Sequence, residues 1–257
     1  MILKDVKISV PSEIWENGRH ISDQFHKRLI EKRKQEDVKM GYNVAIDGPS
    51  GAGKSTIAKL VAKEKGYIYV DTGAMYRALA VCFLEKGIAP EDTEKIIAAA
   101  REAEVSIRYE NEIQQVYLNG ENISSRLRTE KVGNMASMTS LIPEVRERLL
   151  ELQRSLARKK DVIMDGRDIG TNILPDADVK VYLTASVDTR AKRRYDELTA
   201  KGITCEYEKI AKDIRERDER DMNRETAPLR QAEDAVLVDS SDMTIPEVVE
   251  TIVKLCR

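Results

Sequence analysis

The segment Gly48-Pro49-Ser50-Gly51-Ala52-Gly53-Lys54-Ser55 constrains this chain more than any other. Glycines stand at its first, fourth and sixth positions, and a lysine and a hydroxyl residue follow the last of them. The apolar run Val44-Ala45-Ile46 just before it predicts a short strand, and Ser55 to Lys65 read as a helix. Strand, glycine turn and helix in that order make a cradle for a polyphosphate. Glycines let the backbone come close, successive N–H groups point inward, and the helix adds its positive end. Lys54 adds a charge, and Ser55 offers a hydroxyl to Mg²⁺. Gly48, Pro49, Ser50, Gly51, Ala52, Gly53, Lys54, Ser55 and Thr56 are therefore the expected nucleoside triphosphate site. No Asn in the chain is followed by Lys, so the Asn-Lys-x-Asp segment that reads guanine is absent and a switch GTPase is disfavoured.

Further apolar strands are predicted at Tyr67 to Val70, Val162 to Met164, Val179 to Leu183 and Ala235 to Val238, with helical stretches between most of them. Such alternation predicts a parallel sheet covered by helices, an α/β fold in three layers. Two insertions break the rhythm. The first, about 105–130, holds alternating runs at Val105 to Tyr109 and Ile113 to Leu118, and then Asn119-Gly120, which suits a tight turn. The second, about 186–224, is helical and dense in both signs of charge, with Gly202 as the expected break. Residues 1–40 hold both histidines and the single tryptophan and read as an appendage. It is a short strand and polar helix, a partner-binding arm, or a leader before a start at Met40, and it is expected to be dispensable for the chemistry.

Charge narrows the partners. With 43 Lys and Arg against 45 Asp and Glu, the chain carries no global positive field for nucleic acid or an anionic membrane. Cys82, Cys205 and Cys256 are scattered without metal-ligand spacing, which fits a reducing cytoplasm. The opening residues lack a signal peptide's continuous apolar stretch, and no run reaches membrane-spanning length. Without repeats or heptads, a monomer is the expectation.

Two more segments follow predicted strands, where ligands gather in open α/β sheets. In Asp71-Thr72-Gly73-Ala74-Met75-Tyr76-Arg77, Thr72 is expected to cap a helix and Arg77 to fork onto a phosphate. In Asp165-Gly166-Arg167-Asp168-Ile169-Gly170, Asp165 is the acid expected near Mg²⁺ or its waters. At these residues the chain resembles the bacterial cytidylate kinase family, through Ile46 to Thr56, Asp71 to Arg77, Leu127 to Ser137, Asp165 to Thr171 and Arg217 to Leu229.

The resemblance spans roughly 42–257. It implies a P-loop nucleoside monophosphate kinase fold: a five-stranded parallel sheet, a small antiparallel acceptor-binding insert and a mobile helical lid. It implies ATP as donor and CMP, with dCMP, as acceptor. Thr72 stands where the family more often has serine. Ser137, Arg146 and Asp168 fall at positions similar to those that read the cytosine edge. Arg77, Arg167, Arg217 and Arg224 resemble the phosphate-gripping set, and Asp221 with Arg224 the ribose contacts. Arg128 matches less specifically. The chemistry of the base agrees with this, because cytosine's amine donates to a carboxylate such as Asp168, whereas uracil would present a carbonyl oxygen to it.

No histidine follows residue 26, and none is required, because a phosphate monoester with a second pKa of about 6 is already anionic near neutrality. Counter-charges are what the reaction needs. Arg190, Arg193 and Arg194 are expected over ATP, with Arg217, Arg220 and Arg224 swinging in on closure. Glu216, Asp218 and Glu219 read as i, i+4 salt-bridge partners. Two alternatives stay open: a kinase for another acceptor (UMP, AMP or a non-nucleotide), and a non-catalytic nucleotide-binding regulator.

Overall fold

A computed structural model describes residues 41–257 except Glu112 and Lys159; the expected appendage, 1–40, lies outside the described residues. The first strand, β1 (Asn43–Asp47), is buried along its whole length because it runs mid-sheet. Around it lie β2 (Ile68–Asp71), β6 (Val162–Gly166), β7 (Val179–Thr184) and β8 (Val236–Asp239), all parallel, in the order β2-β6-β1-β7-β8. Alternate residues feed opposite cores, as a pleated strand requires. Ala45, Val162 and Met164 join one core, and Val44, Ile46 and Ile163 the other.

The first core is built on α2 (Thr72–Glu85), whose stretch Ala78 to Phe83 is buried on every side, together with α3 (Thr93–Glu102), α4 (Glu130–Thr139) and α5 (Pro143–Arg158). The second lies under α1 (Lys54–Lys65) and α8 (Ile245–Leu255). Two helical layers thus enclose one sheet, the expected three-layer arrangement. Strands β2 and β8 run one residue beyond the apolar runs, ending on Asp71 and Asp239.

The first insertion is a separate antiparallel sheet of β3 (Val105–Glu110), β4 (Ile113–Leu118) and β5 (Glu121–Asn122). Asn119 (φ 50°) and Gly120 (φ 85°) turn the chain between β4 and β5. The insert is fastened to β2. The Asp71 N–H donates to Gln114 Oε1 at 2.9 Å, Gln114 Nε2 donates to the Asp71 carbonyl at 3.2 Å, and the Tyr109 hydroxyl donates to the Tyr69 carbonyl at 3.1 Å.

The second insertion is a helical hairpin of α6 (Val187–Ala200) and α7 (Tyr207–Asn223), broken where Gly202 has φ 71°. Thr72 does not cap α2. Asp71 takes that place, accepting from the Ala74 N–H at 2.8 Å, while the Thr72 hydroxyl donates to the Asp165 carbonyl at 2.7 Å. A carboxylate at the last strand position suits the helix's positive end better than a hydroxyl one residue inside it. Pairing sets Asp71 beside Asp165 and Asp47 beside Gly166, so three strand-end acids share one edge.

Candidate active site

The glycine turn leaves this edge. Gly48 has φ 149°, and a Cβ there would lie 1.9 Å from the Leu183 carbonyl oxygen. Gly53, at φ 89°, begins α1 from a left-handed conformation that a side chain would strain. Lys54 is buried and donates to the Pro49 carbonyl at 2.7 Å. Burial, then the charge of Arg167, lowers its pKa well below the ordinary lysine value.

Ser55 Oγ donates to Asp165 Oδ2 at 2.8 Å, and the Tyr69 hydroxyl donates to Oδ1 at 2.9 Å. Burial and the neighbouring Asp71 raise the Asp165 pKa. Among the described residues, no three His, Cys, Asp or Glu side chains cluster as a metal cage. One hydroxyl and one carboxylate suit an ion that takes its other oxygens from water and phosphate, which is the habit of Mg²⁺.

Arginines crowd the same edge. Arg77 Nη2 grips Asp71 at 3.1 and 3.0 Å, and Arg128, more exposed, reaches Asp71 Oδ2 at 2.8 Å. Arg167 Nε donates to Asp221 Oδ2 at 2.8 Å. Although burial opposes it, the Arg167 charge holds the Asp221 carboxyl below its ordinary range. Arg217 is pushed down to about 10 by burial and then by the charge of Arg167, with Arg77 and Arg220 adding to it and Asp221 opposing. The Nε atoms of Arg77 and Arg217 are buried without hydrogen-bond partners. Several mutually repelling cations with unused buried donors are the chemistry of an anion site.

Asp168 organises a second cluster. Its carboxylate accepts from Arg146 Nη2, from Arg224 Nη2 at 3.1 Å and from the Asn172 side chain at 3.1 Å. Arg146 is buried, not an exposed helix-surface residue, and lies 5.6 Å from the Tyr76 ring centroid. Burial alone would weaken its charge, but Tyr76 and Asp168 more than offset that and raise its pKa. Ser137 Oγ and Arg146 Nε are buried with no partner. Three arms on a carboxylate that offers about four lone-pair sites leave room for one more donor.

The hairpin differs from expectation in three places. Arg190 bonds the Ser50 carbonyl at 2.9 Å, which puts it on the phosphate loop. Arg193 instead donates to the Ser240 carbonyl at 2.6 Å, and Arg194 pairs with Glu197 at 2.8 Å on the exposed face. Both are taken up by packing and by the helix surface. Glu216 pairs with Lys212 four residues earlier, as its spacing suggests, whereas Asp218 is buried against Arg190 on the other helix. Charge spacing along a helix cannot show that its far side faces a second helix.

Reasoning from sequence missed Asp47, Gln114 and the Arg190–Asp218 pair. Asp47 accepts from the N–H groups of Ile169 and Gly170, both at 2.7 Å. Its one signal was a buried-strand carboxylate directly before Gly48.

A profile of the cytidylate kinase family matches residues 44–257. A protein named cytidylate kinase from Caldicellulosiruptor bescii is 48% identical over 213 residues, which cover 83% of this chain and 94% of that one. Its namesake from Caldicellulosiruptor saccharolyticus is 49% identical over 213 residues, with the same two coverages. A third, from Caldanaerobacter subterraneus, is 46% identical over 220 residues, 86% of this chain and 96% of that one. With the phosphate loop, the arginine-rich strand edge and the Asp168 cluster all inside the matched span, the chain belongs to the cytidylate kinase family.

Proposed function

We propose that the protein transfers the terminal phosphoryl group of ATP to CMP, and to dCMP, giving the diphosphate. The observation that carries the choice of base is the Asp168 cluster. A carboxylate with an accepting position left, flanked by the unpartnered donors of Ser137 and Arg146, complements an exocyclic amine next to ring acceptors. Uracil would set a carbonyl against the carboxylate.

In this reading Gly48 to Thr56 hold the triphosphate, and Lys54 neutralises charge on the transferred group. Arg77, Arg167 and Arg217 grip the acceptor phosphate. Arg224 and Asp221 hold the sugar side, and Thr72 lines the acceptor pocket through the hydroxyl it anchors on the Asp165 carbonyl. Mg²⁺, held through Ser55 and Asp165, supplies further charge neutralisation when bound. The acceptor is already anionic, so catalysis is alignment and electrostatic stabilisation. The antiparallel insert is the acceptor domain, and the α6–α7 hairpin is the lid that excludes water.

The protein is proposed to act as a cytoplasmic monomer on free nucleotides, with no nucleic acid or membrane partner. Near-neutral charge and three free cysteines fit this, and no described helix is long and apolar enough to cross a membrane. Residues 1–40 are proposed to be dispensable; deleting 1–39 should leave kcat within about twofold, a tenfold change being 1.36 kcal/mol of barrier.

A coupled assay over CMP, dCMP, UMP and AMP tests the assignment. CMP and dCMP should exceed UMP by at least about 100-fold in kcat/KM. A panel without preference for cytosine overturns it, and tight ATP binding without turnover of any monophosphate would favour a regulator.

A further inference from the structure

We infer that Asp47 is a positioning residue for base discrimination: its carboxylate fixes the backbone that carries Asp168 to the strand end from which the phosphate loop springs. The inference rests on Asp168 reading the base, as proposed above.

Asp47 is buried at the end of β1, one residue before Gly48. Each of its carboxylate oxygens accepts one backbone N–H, Oδ1 from Ile169 and Oδ2 from Gly170, both at 2.7 Å. Those are the first two N–H groups of a single π-helical turn, Ile169–Ile173, that starts directly after Asp168. The first N–H groups of a helical turn have no partner inside it, so a carboxylate from another strand both satisfies them and meets the turn's positive end.

The other end of the turn closes back onto Asp168. Asn172 N–H and Ile173 N–H donate to the Asp168 carbonyl at 2.9 and 3.1 Å, and the Asn172 side chain reaches the Asp168 carboxylate. Turn and acid thus form one unit, and Asp47 pins its leading N–H groups to the sheet. Those hydrogen bonds go to the turn and to no residue proposed to touch a substrate, so Asp47 acts through Asp168.

The test uses the full chain with Asp47→Asn and Asp168→Asn, singly and combined, assayed with CMP and UMP at saturating ATP. ATP KM and melting temperature are measured in parallel. The asparagine amide offers an acceptor to one N–H and its own donor to the other, so one bond is lost at nearly constant shape. Asp47→Asn should lower the CMP-over-UMP ratio of kcat/KM by about tenfold, the effect of displacing a positioned group. The change should fall mainly on KM for CMP, with ATP KM within about twofold. Because both residues act as one unit, the double variant should discriminate no worse than Asp168→Asn alone.

An unchanged ratio in Asp47→Asn, equal losses for CMP, UMP and ATP that track a lowered melting temperature, or losses that multiply in the double variant would each overturn the inference. If Asp168→Asn itself leaves the ratio unchanged, the base-reading assignment fails, and this inference with it. Asp47→Glu keeps the charge but moves both oxygens by a methylene. It should reproduce the discrimination loss and decides the matter if Asp47→Asn does not fold.

Discussion

Arg190 and Asp218 meet between the two helices of the hairpin through paired hydrogen bonds, Nη1 to Oδ1 at 3.1 Å and Nη2 to Oδ2 at 2.6 Å. The same guanidinium also donates to the Ser50 and Ala185 carbonyls, each at 2.9 Å. One buried cation therefore joins the phosphate loop, the start of α6 and the middle of α7.

Removing the acid strands that cation. Asp218→Ala should cost about 3–5 kcal/mol, because a buried guanidinium loses its counter-charge. Urea denaturation would show this, and a loss below about 1 kcal/mol, as for an exposed pair, would contradict it.

Lys54 carries the opposite expectation for stability. Burial already disfavours its charged form, so Lys54→Met should leave the urea midpoint unchanged or higher. Turnover should fall by about 10²–10³ or more, the scale of losing one charge-stabilising donor. Intact activity would remove Lys54 from the chemistry.

Asp47 makes stability depend on pH. Burial raises its pKa from 3.8 to about 6 against the two N–H bonds that lower it. Between those values the folded chain holds a proton that the unfolded chain has lost, so stability falls as pH rises through this window. The cost, about 3 kcal/mol, is complete above about pH 6. Asparagine does not titrate. The stability of the wild type relative to Asp47→Asn should therefore drop by up to that amount between about pH 4 and 7, and parallel pH profiles would refute the shift.

Ser137 offers a gentler probe of the base site. Its hydroxyl is buried without a partner, so Ser137→Ala should not destabilise the fold. If the hydroxyl bonds the acceptor, the variant should lose about 2- to 10-fold in kcat/KM for CMP, the worth of one neutral hydrogen bond. An unchanged CMP profile would exclude that contact.

The parts that the sequence made legible are the local ones. The phosphate loop is a contiguous pattern whose backbone conformations follow from its glycines, and the parallel strands announce themselves as apolar runs. Asn119-Gly120 turns the insert as its chemistry demands. Ser137, Arg146 and Asp168 came from family likeness, since nothing in their spacing brings them together. The role of Asp47 is not legible in the sequence beyond its place before Gly48, because its partners are backbone N–H groups 122 and 123 residues away. Thr72 was misread because a strand-end acid is a better cap than the hydroxyl after it. Asp218 was misread because helical periodicity reports neighbours along one helix and says nothing of the helix opposite.

Gln114 has a mechanical consequence. By matching both backbone groups of Asp71, it fastens the antiparallel sheet to the edge strand of the main one, and Asp71 in turn holds Arg77 and Arg128. On the reading proposed above, the arginine of that rim that grips the acceptor phosphate, Arg77, is thereby tied to the sheet. Any travel in the proposed catalytic cycle then falls to the α6–α7 hairpin, whose ties to the rest of the chain are side-chain bonds such as Arg190 to Ser50, Arg193 to Ser240 and Asp221 to Arg167.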